Sequence, residues 1–148
     1  MSPKVRSLAA TVLLVVAVVL LLRDRALIAR TPVGLALQAL AVVLMLWARF
    51  TFGMRSFHAT ANPTAGGLVT AGPYRYWRHP IYAAVLLFVW SGLLARAGAP
   101  PLPDLGLAAF ATLMTAVRIQ AEEQLLRAAM PEYGAYAART KRLIPFVF

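Results

Sequence analysis

Eleven residues, Gly72-Pro-Tyr-Arg-Tyr-Trp-Arg-His-Pro-Ile-Tyr82, hold the densest set of side chains in this chain that could do chemistry. Arg75 and Arg78 offer forked N–H donors suited to a carboxylate or phosphate. His79 can donate, accept or carry a proton. The ring faces of the tyrosines and Trp77 attract cations and can cover a base or a sulfonium. Two prolines and a glycine restrain the backbone between these groups. An apolar run begins directly afterwards at Ile81. A polar, restrained loop at the mouth of a hydrophobic span is where function concentrates.

The second cluster is the pair Glu122-Glu123. Ile119, Glu122/Glu123, Leu126 and Ala129/Met130 recur at intervals of three and four, which is one face of a helix. The carboxylates therefore interrupt an apolar stripe. A plainer account is a solvated face laced by the i,i+4 pairs Glu123–Arg127 and Arg118–Glu122, each contributing about 0.2–0.5 kcal/mol. For the loop, the plainer account is a basic surface facing lipid headgroups. Taken together, the two clusters suit a zwitterionic ligand that carries a ribose. Carboxylates accept from ribose hydroxyls or an ammonium group, and arginine and imidazole bind a carboxylate.

The rest of the chain must hold these clusters, and it is mostly apolar. Hydrophobic residues make up 61% of the 148 positions and charged residues 14%. A soluble domain of this size has too little interior for so much apolar surface. Cysteine is absent, which excludes disulfides, thiolate nucleophiles and cysteine-based zinc sites. Two histidines and five acidic residues argue against a protein-only metal cage, so no metal is expected. The net charge of +10 is spread over the ends of apolar runs instead of forming one patch. That distribution suits anionic lipid, not nucleic acid.

The pattern predicts an all-α integral membrane protein of one domain, residues 1–148, with about four transmembrane helices. The first span is expected at 5–22, about 27 Å long. Its basic flanks resemble a signal peptide, but no small-x-small cleavage site follows, so it reads as a retained span. Thr31-Pro32 is a helix start opening a second span at 33–52. Loop chemistry follows in Ala61-Asn-Pro-Thr-Ala-Gly-Gly67, with His58 read as a surface residue. The third span is expected at 81–95 and the fourth at 105–119. The fourth runs on as helix to Met130, where Pro131 ends it. The tail from Glu132 onward is expected to add a C-terminal helical segment.

Lys4, Arg6, Arg49, Arg55, Arg75, Arg78, Arg118, Arg127, Arg139, Lys141 and Arg142 share one side in this arrangement, eleven of the fifteen basic residues. That asymmetry predicts both termini and the polar loop in the cytoplasm.

The motif Gly-Pro-Tyr-Arg-Tyr-Trp-Arg-His-Pro-Ile-Tyr, the later Glu-Glu-Gln-Leu-Leu, and Glu132-Tyr133…Tyr136…Arg142-Leu-Ile-Pro145 resemble the isoprenylcysteine carboxyl methyltransferase and phospholipid methyltransferase superfamily. The likeness covers roughly residues 68–146. It implies a membrane enzyme that uses S-adenosylmethionine and releases S-adenosylhomocysteine, with a lipophilic or lipid acceptor. It further implies that cofactor is held by the regions 68–84 and 118–146. The matching positions are Arg78, His79, Pro80, Tyr82, Glu122 and Glu123, with Tyr74 and Arg142 as additional cofactor-binding candidates. Arg75 or Arg78 is the candidate for positioning an anionic acceptor group. The chain departs from the family pattern at Ala84, Met130-Pro131 and Thr140-Lys141, which bears on the fine shape of the pocket. Methyl transfer from a sulfonium needs alignment and exclusion of water more than a strong acid or base, in keeping with the lack of a protein nucleophile.

Two other classes share part of the pattern. Sterol-reductase-like membrane enzymes that use NADPH carry a similar Arg-His-Pro-x-Tyr loop, usually followed by Gly-Glu, where this chain has Ala83-Ala84-Val85. A non-catalytic scaffold gripping anionic lipid would account for the charges and aromatics but not for the glutamates on an apolar stripe.

Overall fold

Each predicted span folds as a helix with a proline in its first turn, and the first two also open on a capping side chain, Ser2 and Thr31. A computed structural model describes residues 1–53, 67–96 and 98–143. Its helices are α1 (Pro3–Arg23), α2 (Pro32–Phe52), α3 (Pro80–Leu94), α4 (Leu102–Ala129) and α5 (Tyr133–Arg139). A 3-10 turn, Gly72–Arg75, lies between α2 and α3. No strand occurs among the described residues. His58, the 54–66 stretch and residues 144–148 lie outside them, including Ile144 and Pro145 of the tail motif.

Thr31 caps α2 as its sequence suggests, its hydroxyl accepting from Gly34 N at 3.2 Å, with Pro32 at the first helical position. α4 starts three residues before the expected Leu105. Pro103 fits there because a first-turn N–H has no partner within the helix. At 28 residues, α4 is about 42 Å long, well beyond a hydrocarbon core of about 30 Å. Its last turns, with both glutamates, reach past that thickness.

Among the described residues three helices, α1, α2 and α4, are long and apolar enough to cross a membrane. α3 is apolar but only 15 residues long, about 22 Å, shorter than a full crossing. Its N-terminus is therefore set by Pro80 and the polar loop, not by the bilayer surface. The expectation of about four spans becomes three full-length helices and one short one.

The helices pack as antiparallel neighbours, α1 on α4, α2 on α3 and α3 on α4. On α1 the buried residues Ser7, Ala10, Leu14, Ala17 and Leu21 repeat at three and four, a narrow seam against α4. Leu14 and Ala17 meet Ala111, and Leu21 joins Leu27, Val89, Leu93 and Ala108. The remaining faces leave Val12, Val15, Val16, Val19, Leu40 and Val43 exposed, as lipid-facing side chains would be.

Small residues and one buried amide fasten α2 to α3. A Cβ on Gly92 would overlap the Leu27 carbonyl, so glycine is needed for that approach. Gln38 accepts from Ala29 N at 3.1 Å and donates to the carbonyls of Leu27 (2.5 Å) and Phe88 (3.2 Å). It thereby satisfies loop backbone groups that would be costly to leave bare in an apolar setting. Trp90 Nε1 donates to Thr112 Oγ1 at 3.0 Å, and Arg96 pairs with Asp104 at 2.7 Å. The first joins α3 to α4, and the second joins the turn after α3 to the start of α4.

Candidate active site

The loop before α3 and the segment after α5 are bolted together by backbone. Arg78 N donates to Lys141 O at 2.7 Å, His79 N to Arg142 O at 3.1 Å, and Lys141 N to Tyr76 O at 3.2 Å. This short parallel bridge carries Arg142 back over α4. Gly72 makes the tight entry to the loop. Its φ of 55° falls in the left-handed region, and a Cβ there would overlap Thr51.

Glu123 is the anion at the centre, its side chain only 5% exposed. Arg78 Nε donates to its Oε1 at 3.0 Å, while Arg142 donates from Nε to Oε1 at 3.3 Å and from Nη2 to Oε2 at 3.1 Å. His79 Nε2 lies 3.4 Å from Oε1, within ion-pair range but without a hydrogen bond. The expected pair of Glu123 with Arg127 gives way to these contacts. Arg127 instead lies over the Tyr133 ring, 5.5 Å from its centroid. Hydrogen bonding to Glu123 raises Arg142 above the ordinary guanidinium value.

Arg78 also donates from Nη1 to the carbonyl oxygens of Ala137, at 2.7 Å, and Thr140. Its guanidinium thus ties the end of α5 to Glu123 of α4. Arg75, by contrast, is exposed on the 3-10 turn. Tyr74 is buried, stacked at a tilt against Phe52 with ring centroids 5.4 Å apart. Its carbonyl accepts from the Tyr136 hydroxyl at 2.7 Å. Burial pushes the Tyr136 phenol up to about 12, so it remains a donor there at neutral pH. Pro80 is buried and opens α3.

Glu122 is the more open carboxylate, with 28% of its side chain exposed. Its Oε2 accepts from the Tyr82 hydroxyl at 2.8 Å and lies 4.0 Å from His79 Nδ1. The His79 and Tyr82 rings stack with centroids 5.6 Å apart. Of the sequence candidates, His79, Tyr82, Glu122, Glu123, Arg78 and Arg142 come together; Pro80 and Tyr74 lie beneath them as framework, and Arg75 lies outside.

Three further side chains belong to this neighbourhood, although the sequence reading did not place them among the site residues. Tyr133, fully buried on α5, and Trp77 each bury a polar atom with no hydrogen-bond partner among the described residues. Arg118 of α4 is buried and donates to the Tyr82 hydroxyl. A basic residue in an apolar helix was the available signal for Arg118. Trp77 stands in the loop motif and Tyr133 in the tail motif, but nothing local showed that their polar atoms would be buried.

This geometry can be set beside known proteins. The family model of the isoprenylcysteine carboxyl methyltransferases (ICMT) matches residues 32–128. The chain belongs to that family. Its matched segment includes the loop motif, α3 and the glutamate pair, so it carries most of the site just described. A cobalt-zinc-cadmium resistance protein, CzcN, of Cupriavidus metallidurans is 36% identical over 112 residues, 76% of this chain and 47% of that protein. A nickel-cobalt-cadmium resistance protein, NccN, of Alcaligenes xylosoxydans xylosoxydans is 34% identical over 114 residues, 76% of this chain and 48% of that protein. The chain thus spans about half the length of the curated relatives it matches. No solved structure matches it. Family membership and three long apolar helices together make this a methyltransferase-like integral membrane protein of the isoprenylcysteine carboxyl methyltransferase family.

Proposed function

We propose that this protein transfers a methyl group from S-adenosylmethionine to a lipophilic acceptor at the membrane. The observation that carries this reading is the meeting of His79 and Tyr82, on the loop and first turn of α3, with Glu122 and Glu123 of α4. The donor set fits such a cofactor. Glu122 keeps an oxygen available to a ribose hydroxyl or an ammonium group. Trp77 Nε1 and the Tyr133 hydroxyl are buried polar atoms with no hydrogen-bond partner among the described residues, and His79 Nε2 has only the Glu123 carboxylate at 3.4 Å. Groups of that kind call for one.

S-adenosylmethionine, when bound, supplies an electrophilic methyl group on a sulfonium. The protein's part is to bind, orient and keep water away. Glu122, His79 and Tyr82 bind and orient. Glu123 holds Arg78 and Arg142 and so closes the C-terminal segment over the loop. An acceptor carboxylate needs no base here, whereas an amine must arrive deprotonated. Arg75, exposed at the loop's edge, is the arginine left to meet an anionic acceptor; Arg78 acts as a strut. The acceptor's lipophilic character follows from the apolar helices that flank the site, and its headgroup chemistry is the quantity to measure. Purified protein in detergent, given methyl-labelled cofactor and a panel of lipid extracts, is expected to label a lipid-soluble product. Absence of label from every extract would count against the reading.

The metal-resistance names belong to the relatives. Among the described residues of this chain, no group of three or more His, Cys, Asp or Glu side chains is placed to hold a metal ion.

The concentration of basic residues at the end bearing the N-terminus, the loop and α5 supports a cytoplasmic site with both termini on the same side. The chain lacks cysteine, so a single introduced thiol reports orientation. A membrane-impermeant maleimide is expected to label exposed Asp24→Cys in intact cells and exposed Glu132→Cys only after the membrane is opened. The opposite pattern would reverse the orientation.

A further inference from the structure

Arg118 is a buried cation on an apolar helix, and its hydrogen bonds run in one direction. Nη1 donates to the Thr11 hydroxyl oxygen and, at 3.3 and 3.4 Å, to the Ser7 hydroxyl and carbonyl oxygens. Nε donates to the Tyr82 hydroxyl oxygen, and the guanidinium carbon lies 5.6 Å from the Tyr82 ring centroid. A guanidinium has donors and no acceptor. Any hydroxyl that meets it must therefore turn its proton elsewhere. Thr11 sends its proton to Ser7 O at 2.7 Å, and Tyr82 sends its proton to Glu122 Oε2 at 2.8 Å.

The result is a network donated outward from Arg118 along two branches, through the Thr11 hydroxyl to the Ser7 carbonyl on α1 and through the Tyr82 hydroxyl to the Glu122 carboxylate. We propose that Arg118, braced by Ser7 and Thr11, is a positioning residue that commits the Tyr82 proton to Glu122 Oε2 and leaves the other carboxylate oxygen for the ligand. This rests on the cofactor reading above and adds two things to it. The site acquires a residue that touches no ligand but sets the one that does. It also acquires α1, which lies before the segment the family model matches at 32–128. A second contact reinforces the brace, since Arg6 Nη2 donates to Gln124 Oε1, on the residue directly after the glutamates.

Because Arg118 acts through Tyr82, its effect must vanish when the Tyr82 hydroxyl is absent. The test is the dissociation constant of S-adenosylhomocysteine, measured by calorimetry on folded protein in detergent. The proteins compared are wild type, Tyr82→Phe, Arg118→Met, their double variant, Thr11→Val and Glu122→Gln. Arg118→Met and Tyr82→Phe are each expected to weaken binding about tenfold, and the double variant no more than either, as loss of one charge-assisted link predicts. Thr11→Val, which keeps the side chain's shape, is expected to weaken it about threefold. It is also expected to have no effect in the Tyr82→Phe background, and it carries the test should Arg118→Met fail to fold. Independent, multiplying effects of Arg118 and Tyr82, or unchanged affinity in both Arg118→Met and Thr11→Val, would overturn the proposal. Where Glu122→Gln and Tyr82→Phe weaken binding but Arg118→Met does not, only this inference fails. Where wild type binds nothing, or Glu122→Gln binds as tightly as wild type, the cofactor reading fails and this inference with it.

Discussion

Replacing Glu123 with alanine is expected to destabilise the protein by about 3–5 kcal/mol, the usual cost of removing one partner of a buried ion pair. Arg78 is itself buried, with 9% of its side chain exposed, and would be left without a counter-charge. Arg142 would lose both oxygens it donates to. The Trp77–Lys141 bridge and the bonds of Arg78 to Ala137 and Thr140 would still join the loop to the C-terminal segment, but the shared tie of both to Glu123 would be gone, and the segment should loosen from α4. Thermal unfolding in detergent measures the loss, and proteolysis after Arg139 or Lys141 reports the release. Arg142→Ala supplies the contrast. Its side chain is 39% exposed, so its removal should cost about 1 kcal/mol or less. Equal effects of the two variants would show that the charge cluster is not organised around Glu123.

The neighbouring glutamate is expected to behave in the opposite way. Glu122 is partly exposed, and its hydrogen bond comes from a single hydroxyl. Glu122→Ala should therefore unfold within about 1 kcal/mol of wild type, yet lose cofactor binding by about a hundredfold or more, as loss of a charged hydrogen-bonding partner from a closed site allows. Equilibrium dialysis with labelled S-adenosylmethionine checks the affinity, and the unfolding curve checks the fold. Two adjacent carboxylates would thus divide the work. In the proposed reading, one holds the architecture and the other the ligand.

This division could not be read from the sequence. Helical spacing placed Glu122 and Glu123 together on an interrupted apolar face, and in the structure it is Glu123 that turns inward. Which of the two was buried depends on the partners brought to them from residues 78–79 and 142, far along the chain. The i,i+4 rule sees only neighbours on one helix, so it offered Arg127 for Glu123, and Arg127 lies on Tyr133 instead. Arg118 was visible only as a candidate partner for Glu122, because nothing local links it to Ser7 and Thr11 on α1.

Local chemistry was easier to read. The Thr31-Pro32 cap, the Pro131 stop and the helical character of the apolar runs are decided within a few residues. The loop motif was legible as a restrained polar element, but not as one partner of a backbone bridge to Lys141 and Arg142. The bounds of α3 were legible to within a residue, 81–95 in the sequence against Pro80–Leu94 in the structure, and at that length the helix covers only about two-thirds of a bilayer crossing.

The most direct measurement is thermal unfolding of the detergent-solubilised protein as S-adenosylhomocysteine is raised. A ligand that binds only the folded state adds about 2.7 kcal/mol at a hundred times its dissociation constant. The unfolding temperature of wild type should climb with concentration, that of Glu122→Ala should stay flat, and NADPH should move neither. A flat response in wild type, or an equal rise in Glu122→Ala, would contradict a cofactor site built on the loop of α3 and the glutamates of α4.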